Sequence, residues 1–147
     1  MRHFASLHHA VVGVDRNPEA IAAVATLGEA ICADIENGPW PLSGRTFGGV
    51  VVTNYLWRPL WPEILASLAP SGVLIYETFS AGNESVGKPS RPDFLLRPGE
   101  LLHLCKGLRV VAFEEGFLAH PACFVQRIVA IRETDTTQTP ARYTLIG

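Results

Sequence analysis

Apolar residues in this chain come in short unbroken runs, most of them closed by an acid, an asparagine or a cluster of glycine and proline. Val11-Val12-Gly13-Val14 runs into Asp15, and Gly48-Gly49-Val50-Val51-Val52-Thr53 runs into Asn54. Val73-Leu74-Ile75-Tyr76-Glu77-Thr78-Phe79 repeats the pattern, and a shorter strand over Glu29–Ala33 ends in Asp34. Runs of this length without alternation predict strands buried on both faces of a parallel sheet, Gly48–Asn54 most clearly of all. Between the first two strands, Asn17 can cap a helix that has Pro18 at its first position and Glu19 in its first turn. That helix would carry Ile21, Val24, Ala25 and Leu27 toward the sheet and stop at Gly28. A second helix is predicted over Pro62–Leu68, closed by Pro70-Ser71-Gly72, and a third over Pro98–Leu104, ended by Gly107. Residues 2–9 read as the tail end of a helix. Leu108–Glu114 and Phe124–Arg132 form a final strand pair, followed by a polar tail over Glu133–Gln138.

Strands that alternate with helices and then end in a hairpin predict an α/β fold. Its sheet is mostly parallel, with a C-terminal antiparallel hairpin. The 147 residues, 48% hydrophobic and 18% charged, fit a single domain with a real core. A net charge of -2 with a pI near 6.2 gives no footprint for nucleic-acid binding. No apolar run reaches the ~18 residues of a membrane span, and the N-terminus has no signal-peptide pattern, so the expected location is the cytoplasm. Cys32, Cys105 and Cys123 are odd in number and far apart, and the five histidines make no ligand spacing with them, so no metal site is expected.

The candidate chemistry starts at Asp15. An acid at the end of such a strand sits where a carboxylate accepts hydrogen bonds from the ribose hydroxyls of a bound nucleoside. In that architecture a first strand and its glycine-rich turn lie roughly 20 residues upstream of the acid. Only fourteen residues precede Asp15 here, and none reads as a strand or a glycine loop. The 18 residues from Ser80 to Arg97 are polar and rich in Gly, Pro and Asn. An irregular segment of that length inside a compact domain is more often functional than filler.

The order of elements, with its terminal hairpin, resembles the class I S-adenosylmethionine-dependent methyltransferases, a Rossmann-like methyltransferase fold, over nearly the whole chain except the first strand. Asp93-Phe94-Leu95-Leu96-Arg97-Pro98-Gly99-Glu100-Leu101 is similar to the F-x-x-x-x-G-E-L segment of the tellurite-resistance type within that superfamily, as is Tyr76-Glu77-Thr78-Phe79 leading into a long polar loop. The resemblance implies S-adenosyl-L-methionine as cofactor and a small-molecule acceptor. It implies that Asp15, with Arg16 beside it, holds the ribose, that Asp34 and Ile35 meet the adenine, and that Asn54 and Tyr55 lie beside the sulfonium. Glu77 would be the best-placed base, with Tyr55 as the second catalytic candidate, and Lys88, Arg91 and Arg97 would draw an anionic acceptor. Methyl transfer is an in-line displacement governed by alignment, and a soft anionic acceptor needs no base, which suits a chain with no triad or carboxylate dyad.

Each residue also has a plain structural reading. Asp15 can be a strand-end acid that caps the next helix, Asp34 a loop acid, and Tyr55 a rim aromatic. Trp57 can anchor the following helix as well as wall the methionine pocket. Glu77 can meet water or Arg97, and the loop cations can simply be solvated. Other functions stand beside methyl transfer: a catalytically inactive methyltransferase-like module that acts by association, and a nicotinamide-dependent oxidoreductase, which the hairpin and the Phe94–Leu101 segment disfavour. The missing first strand would leave Val11–Asp15 and Val50–Asn54 each without a partner, at a cost of roughly eight to ten ladder hydrogen bonds worth about 0.5–1.5 kcal/mol each. Three explanations are open: Met1 is internal to a longer chain, which is favoured; the two strands pair directly; or a second copy fills the gap as a homodimer. In each case the expectation is an incomplete domain that binds the cofactor weakly or not at all.

Overall fold

A computed structural model describes residues 1–134 and 142–143. The chain forms two compact units, Met1–Ser43 and Gly44–Gly147. Most of the polar tail expected over Glu133–Gln138 lies outside the described residues.

The first unit contains helix α1 (Arg2–Ser6), strand β1 (Val12–Asp15), helix α2 (Pro18–Ala22) and strand β2 (Glu29–Cys32). β1 and β2 run parallel, with Asp15 opposite Cys32. The predicted cap is present: Asn17 Oδ1 accepts Glu19 N at 2.9 Å, and Pro18 takes the first helical position. The helix is shorter than its apolar spacing predicts. Beyond Ala22 the chain continues in tighter turns, with Val24 N bonding to Ile21 O and Leu27 N to Val24 O. Tightening brings Glu29 N onto Val11 O at 3.0 Å and sets the register of the pair. Gly28 serves that approach rather than a left-handed helix cap: a Cβ there would lie 2.4 Å from Val11 O. Among the described residues of this unit only Leu42 is buried, so the apolar run in β1 is half-covered rather than enclosed.

The second unit holds β3 (Phe47–Thr53), a 3-10 turn over Arg58–Leu60 that feeds α3 (Trp61–Ala66), β4 (Leu68–Phe79), α4 (Glu100–Leu104), β5 (Arg109–Ala119) and β6 (Ala122–Ile131). Its sheet has the order β3-β4-β6-β5, with β3 and β4 parallel and the β5–β6 hairpin antiparallel, as predicted. β4 begins earlier than expected. Pro70-Ser71-Gly72 does not close a helix but lies within the strand, where the register jumps between Phe47 opposite Leu68 and Gly49 opposite Val73. Ser71 takes a φ of 60° there and donates its N–H to Arg132 O.

Register places Leu74 with Ala130, Tyr76 with Ile128 and Thr78 with Gln126 on one face. All six are buried, together with Trp61 and Ile64 of α3 and Leu101 of α4. The Trp61 ring meets Tyr76 edge-on at 4.7 Å. The opposite face is open at Val51, 45% exposed, and Ile75, 37% exposed. The expectation of a fully buried Gly48–Asn54 strand is therefore corrected: β3 is the edge of its sheet, and α3 and α4 cover only one face. β1 and β3 belong to different sheets.

Candidate active site

In the first unit the carboxyl ends of two parallel strands carry the predicted acids. That edge of an α/β sheet is where ligands settle. Asp15 is exposed, and its Oδ1 accepts the N–H of Asn17 at 2.8 Å. The acid thus braces Asn17, the residue that caps α2, rather than capping the helix itself, and the hydrogen bonds of the described residues use only one of its oxygens. Arg16 follows, exposed, with its carbonyl 3.7 Å from Cys32 Sγ.

Asp34 closes a local turn. Its Oδ2 accepts Asn37 Nδ2 at 2.9 Å, and its Oδ1 accepts Glu36 N at 3.0 Å and Asn37 N at 3.2 Å. The Asn37 side chain, then the Glu36 amide, hold this carboxyl below the ordinary value. Ile35 beside it is half-buried. Gly38 N returns to Asp34 O at 2.9 Å, and a Cβ on Gly38 would stand 2.7 Å from that oxygen. Carboxylate oxygens accept hydrogen bonds, and a nucleoside offers hydroxyl and amine donors, so the two side chains fit such a group.

In the second unit Asn54 leaves β3 in a left-handed conformation, φ 53°, while its N–H is held by Glu77 O at 2.9 Å. Asparagine is among the few residues that adopt this geometry cheaply. The carbonyl of Tyr55 accepts the Tyr76 hydroxyl at 2.6 Å. Burial pushes the Tyr76 phenol well above its ordinary value, so it remains a donor. Tyr55 and Trp57 are half-buried.

Glu77 is engaged by a residue that sequence reading did not pair with it. Its carboxylate takes Arg127 Nε, and Arg127 reaches Glu114 at 3.4 Å with Nη1. Register explains this: Thr53, Glu77, Arg127 and Glu114 form one row across the four strands. The loop cations are exposed and no bond among the described residues joins them. Arg91 pairs with Asp93 at 3.1 Å and lies over the Phe94 ring, Arg97 engages through its backbone, and Lys88 is exposed.

Besides Arg127, sequence reading missed the long-range roles of Arg58, Asn83 and Gln126. Asn83 and Gln126 are buried polar groups at 1% and 0% exposure, and Arg58 forks onto Glu100. Gln126 carries a sequence signal. It occupies a core-facing position of the alternating strand Phe124–Ile131, where a polar residue must find buried partners. Cys105 is buried, which pushes its thiol up to about 11, and Cys123 is buried too. Among the described residues no group of three metal-ligating side chains converges.

No protein-family model and no curated protein sequence matches the chain. Solved structures do. TehB from Haemophilus influenzae superposes with a TM-score of 0.70 at 16% identity, over 90% of this chain and 53% of that one. The fold is the Rossmann-like methyltransferase fold. A SAM-dependent methyltransferase from Methanosarcina mazei matches with a TM-score of 0.64 at 15% identity, over 91% of this chain and 87% of that one. The 1,6-didemethyltoxoflavin-N1-methyltransferase of Burkholderia thailandensis, solved with 1,6-didemethyltoxoflavin and S-adenosylhomocysteine bound, matches with a TM-score of 0.64 at 14% identity, over 90% and 65%. The chain spans about half the length of the TehB structure. No helix among the described residues is long and apolar enough to cross a membrane.

Proposed function

We propose that the chain serves S-adenosylmethionine-dependent methyl transfer to a small-molecule acceptor. The observation that carries this reading is the pair of acids, Asp15 and Asp34, at the carboxyl ends of adjacent parallel strands, within a fold shared with methyltransferases. Asp15, with Arg16 beside it, would hold the ribose hydroxyls, and Asp34 with Ile35 the adenine. Asn54 and Tyr55 would border the reacting end. The cofactor, when bound, supplies an electrophilic methyl group on a sulfonium. The protein's own residues then align the acceptor and exclude water, the terms that dominate an in-line displacement.

Glu77, which sequence reading takes as the best-placed base, is occupied by Arg127, and this suits an acceptor that arrives already nucleophilic and needs no base. A soft anion, a thiolate or a tellurite-like oxyanion, meets that condition. The tellurite-resistance type of methyltransferase is the subgroup that the Phe94–Leu101 segment and the likeness to TehB favour. Lys88, Arg91 and Arg97 give the loop a positive lining for such an acceptor, while the net charge of -2 argues against a nucleic acid.

Calorimetric titration of S-adenosylmethionine and, separately, NADH into the protein tests the reading. The expected result is weak, saturable binding of S-adenosylmethionine that is lost in Asp15→Ala, with no binding of NADH. Binding of NADH in its place would make the chain an oxidoreductase. Binding of neither would overturn the enzyme reading in favour of a module that acts by association.

A further inference from the structure

The long segment after β4 is strapped at three places. Its base is closed by backbone bonds, Leu96 N to Phe79 O at 3.0 Å and Ala81 N to Leu96 O at 2.8 Å. Asn83 ties the first half to β6, accepting Phe124 N at 3.1 Å and donating to Pro89 O at 3.0 Å. Gln126 ties the second half, donating to Arg97 O at 2.6 Å and Glu115 Oε1 at 3.0 Å while accepting Leu101 N at 3.1 Å. The remaining oxygen of Glu115 takes Gly99 N at 2.9 Å.

The third strap comes from elsewhere in the sequence. Arg58 stands four residues beyond Asn54, in the 3-10 turn after β3. Its Nε and Nη2 grip the two oxygens of Glu100 at 2.6 and 2.8 Å. Nη1 reaches Asp93 O at 2.8 Å, and Nη2 also reaches Leu95 O at 2.9 Å. Glu100 in turn accepts Arg97 N at 2.7 Å. A planar guanidinium serves a carboxylate and two carbonyls at once, which an ammonium on a flexible stem does not. The same exit from β3 is fixed from below by Tyr76, whose hydroxyl holds Tyr55 O.

We infer that Arg58 is a positioning residue that locks residues 93–100 to the exit of β3, so that the loop is a fixed wall rather than a moving lid. Asn54 and Tyr55 on one side and the acceptor-side loop on the other then keep a single spacing. The purpose of that spacing rests on the methyl-transfer reading, where misalignment of donor and acceptor costs rate directly. The strap itself does not depend on it.

Hydrogen–deuterium exchange on the whole protein, without cofactor, decides the strap. Amides over residues 93–101 should exchange about as slowly as those of β6. Arg58→Lys keeps the charge but loses the fork. It should speed exchange over 93–101 and over 54–57 about tenfold, leaving the centres of β4 and β6 within about twofold. Glu100→Gln should do the same over 93–101. Fast exchange of 93–101 in the unaltered protein, or an Arg58→Lys profile that is unchanged or raised everywhere equally, overturns the inference. A kinetic arm uses S-adenosylmethionine with tellurite and 2-mercaptoethanol as probe acceptors. There Arg58→Lys should raise the acceptor KM about tenfold with the S-adenosylmethionine KM within about threefold, a split that simple destabilisation does not produce. Equal changes in both constants overturn the positioning role. No turnover of either probe counts against the methyl-transfer reading, and the exchange profile alone then rules on the strap.

Discussion

The two units of this chain are held in different ways. In Met1–Ser43 the side-chain contacts of the two strand-end acids are local: Asp15 to Asn17, Asn17 to Glu19, Asp34 to Glu36 and Asn37. Only Leu42 is buried among its described residues. In Gly44–Gly147 the decisive polar contacts are long-range, Arg58 to Glu100, Gln126 to Arg97 and Asn83 to Phe124, and they lie on or in a core that includes Leu74, Leu96, Leu101 and Ala130 at 0% exposure. A two-stranded sheet with so little burial gains its order from short-range turns and caps, whereas the four-stranded sheet with two covering helices gains it from burial. Binding geometry that depends on neighbours in sequence is quick to form but weakly enforced. Geometry that depends on buried amides is enforced by the cost of leaving them unpaired.

This contrast can be broken by substitution. The largest effect is expected at Leu101→Ala, which opens a cavity under α4 and should cost about 2–5 kcal/mol in urea unfolding of the second unit. A comparable loss from Val14→Ala, in half-covered β1, would abolish the distinction. Next is Gln126→Leu. It preserves bulk but strands Leu101 N inside the protein and takes a partner from Arg97 O, and should cost about 1–3 kcal/mol by the same measurement. Asn17→Ala removes the cap of α2 and should cost roughly 1 kcal/mol. That loss should appear as faster amide exchange over residues 18–22 and leave β4 and β6 untouched.

The smallest effect is a pH dependence at Glu100. Burial alone would raise this carboxyl, but the Arg58 hydrogen bond, the Arg97 amide and the charge of Arg58 outweigh it and hold it below the ordinary carboxylate value. The folded value is the depressed one, so the pair's contribution is whole above the ordinary carboxylate range and drains away as pH falls through the folded value. Urea midpoints followed downward from pH 6 should therefore fall less steeply in Glu100→Gln than in the unaltered protein. Identical slopes would mean that Arg58 and Glu100 are not coupled in the folded state.

The sequence disclosed the strands, the cap at Asn17 and the acids at strand ends because these are properties of neighbouring residues. It misjudged extents wherever distant pairing decides them. α2 stops at Ala22 because Glu29 N must reach Val11 O, an approach that Gly28 permits, and β4 absorbs Pro70-Ser71-Gly72 because β3 pairs across a register jump. The runs Val11–Val14 and Gly48–Thr53 read as enclosed, yet β1 is only half-covered and β3 is an edge with Val51 in the open. Within the candidate site, Glu77 was visible as a titratable group, but its partner Arg127 lies fifty residues away and is set by antiparallel register alone. Arg58 gave no local sign, being one arginine before a proline. Gln126 did give one, as a lone amide at an inward position of an apolar strand.

The register that sets Asp15 opposite Cys32 has a practical side. Cys32 is exposed, while Cys105 and Cys123 are buried, and burial keeps Cys105 a protonated thiol at neutral pH. A maleimide dye added to the native protein should therefore modify Cys32 first. The label would report from directly across the strand pair from Asp15, giving an optical signal for events at that acid without any engineered residue.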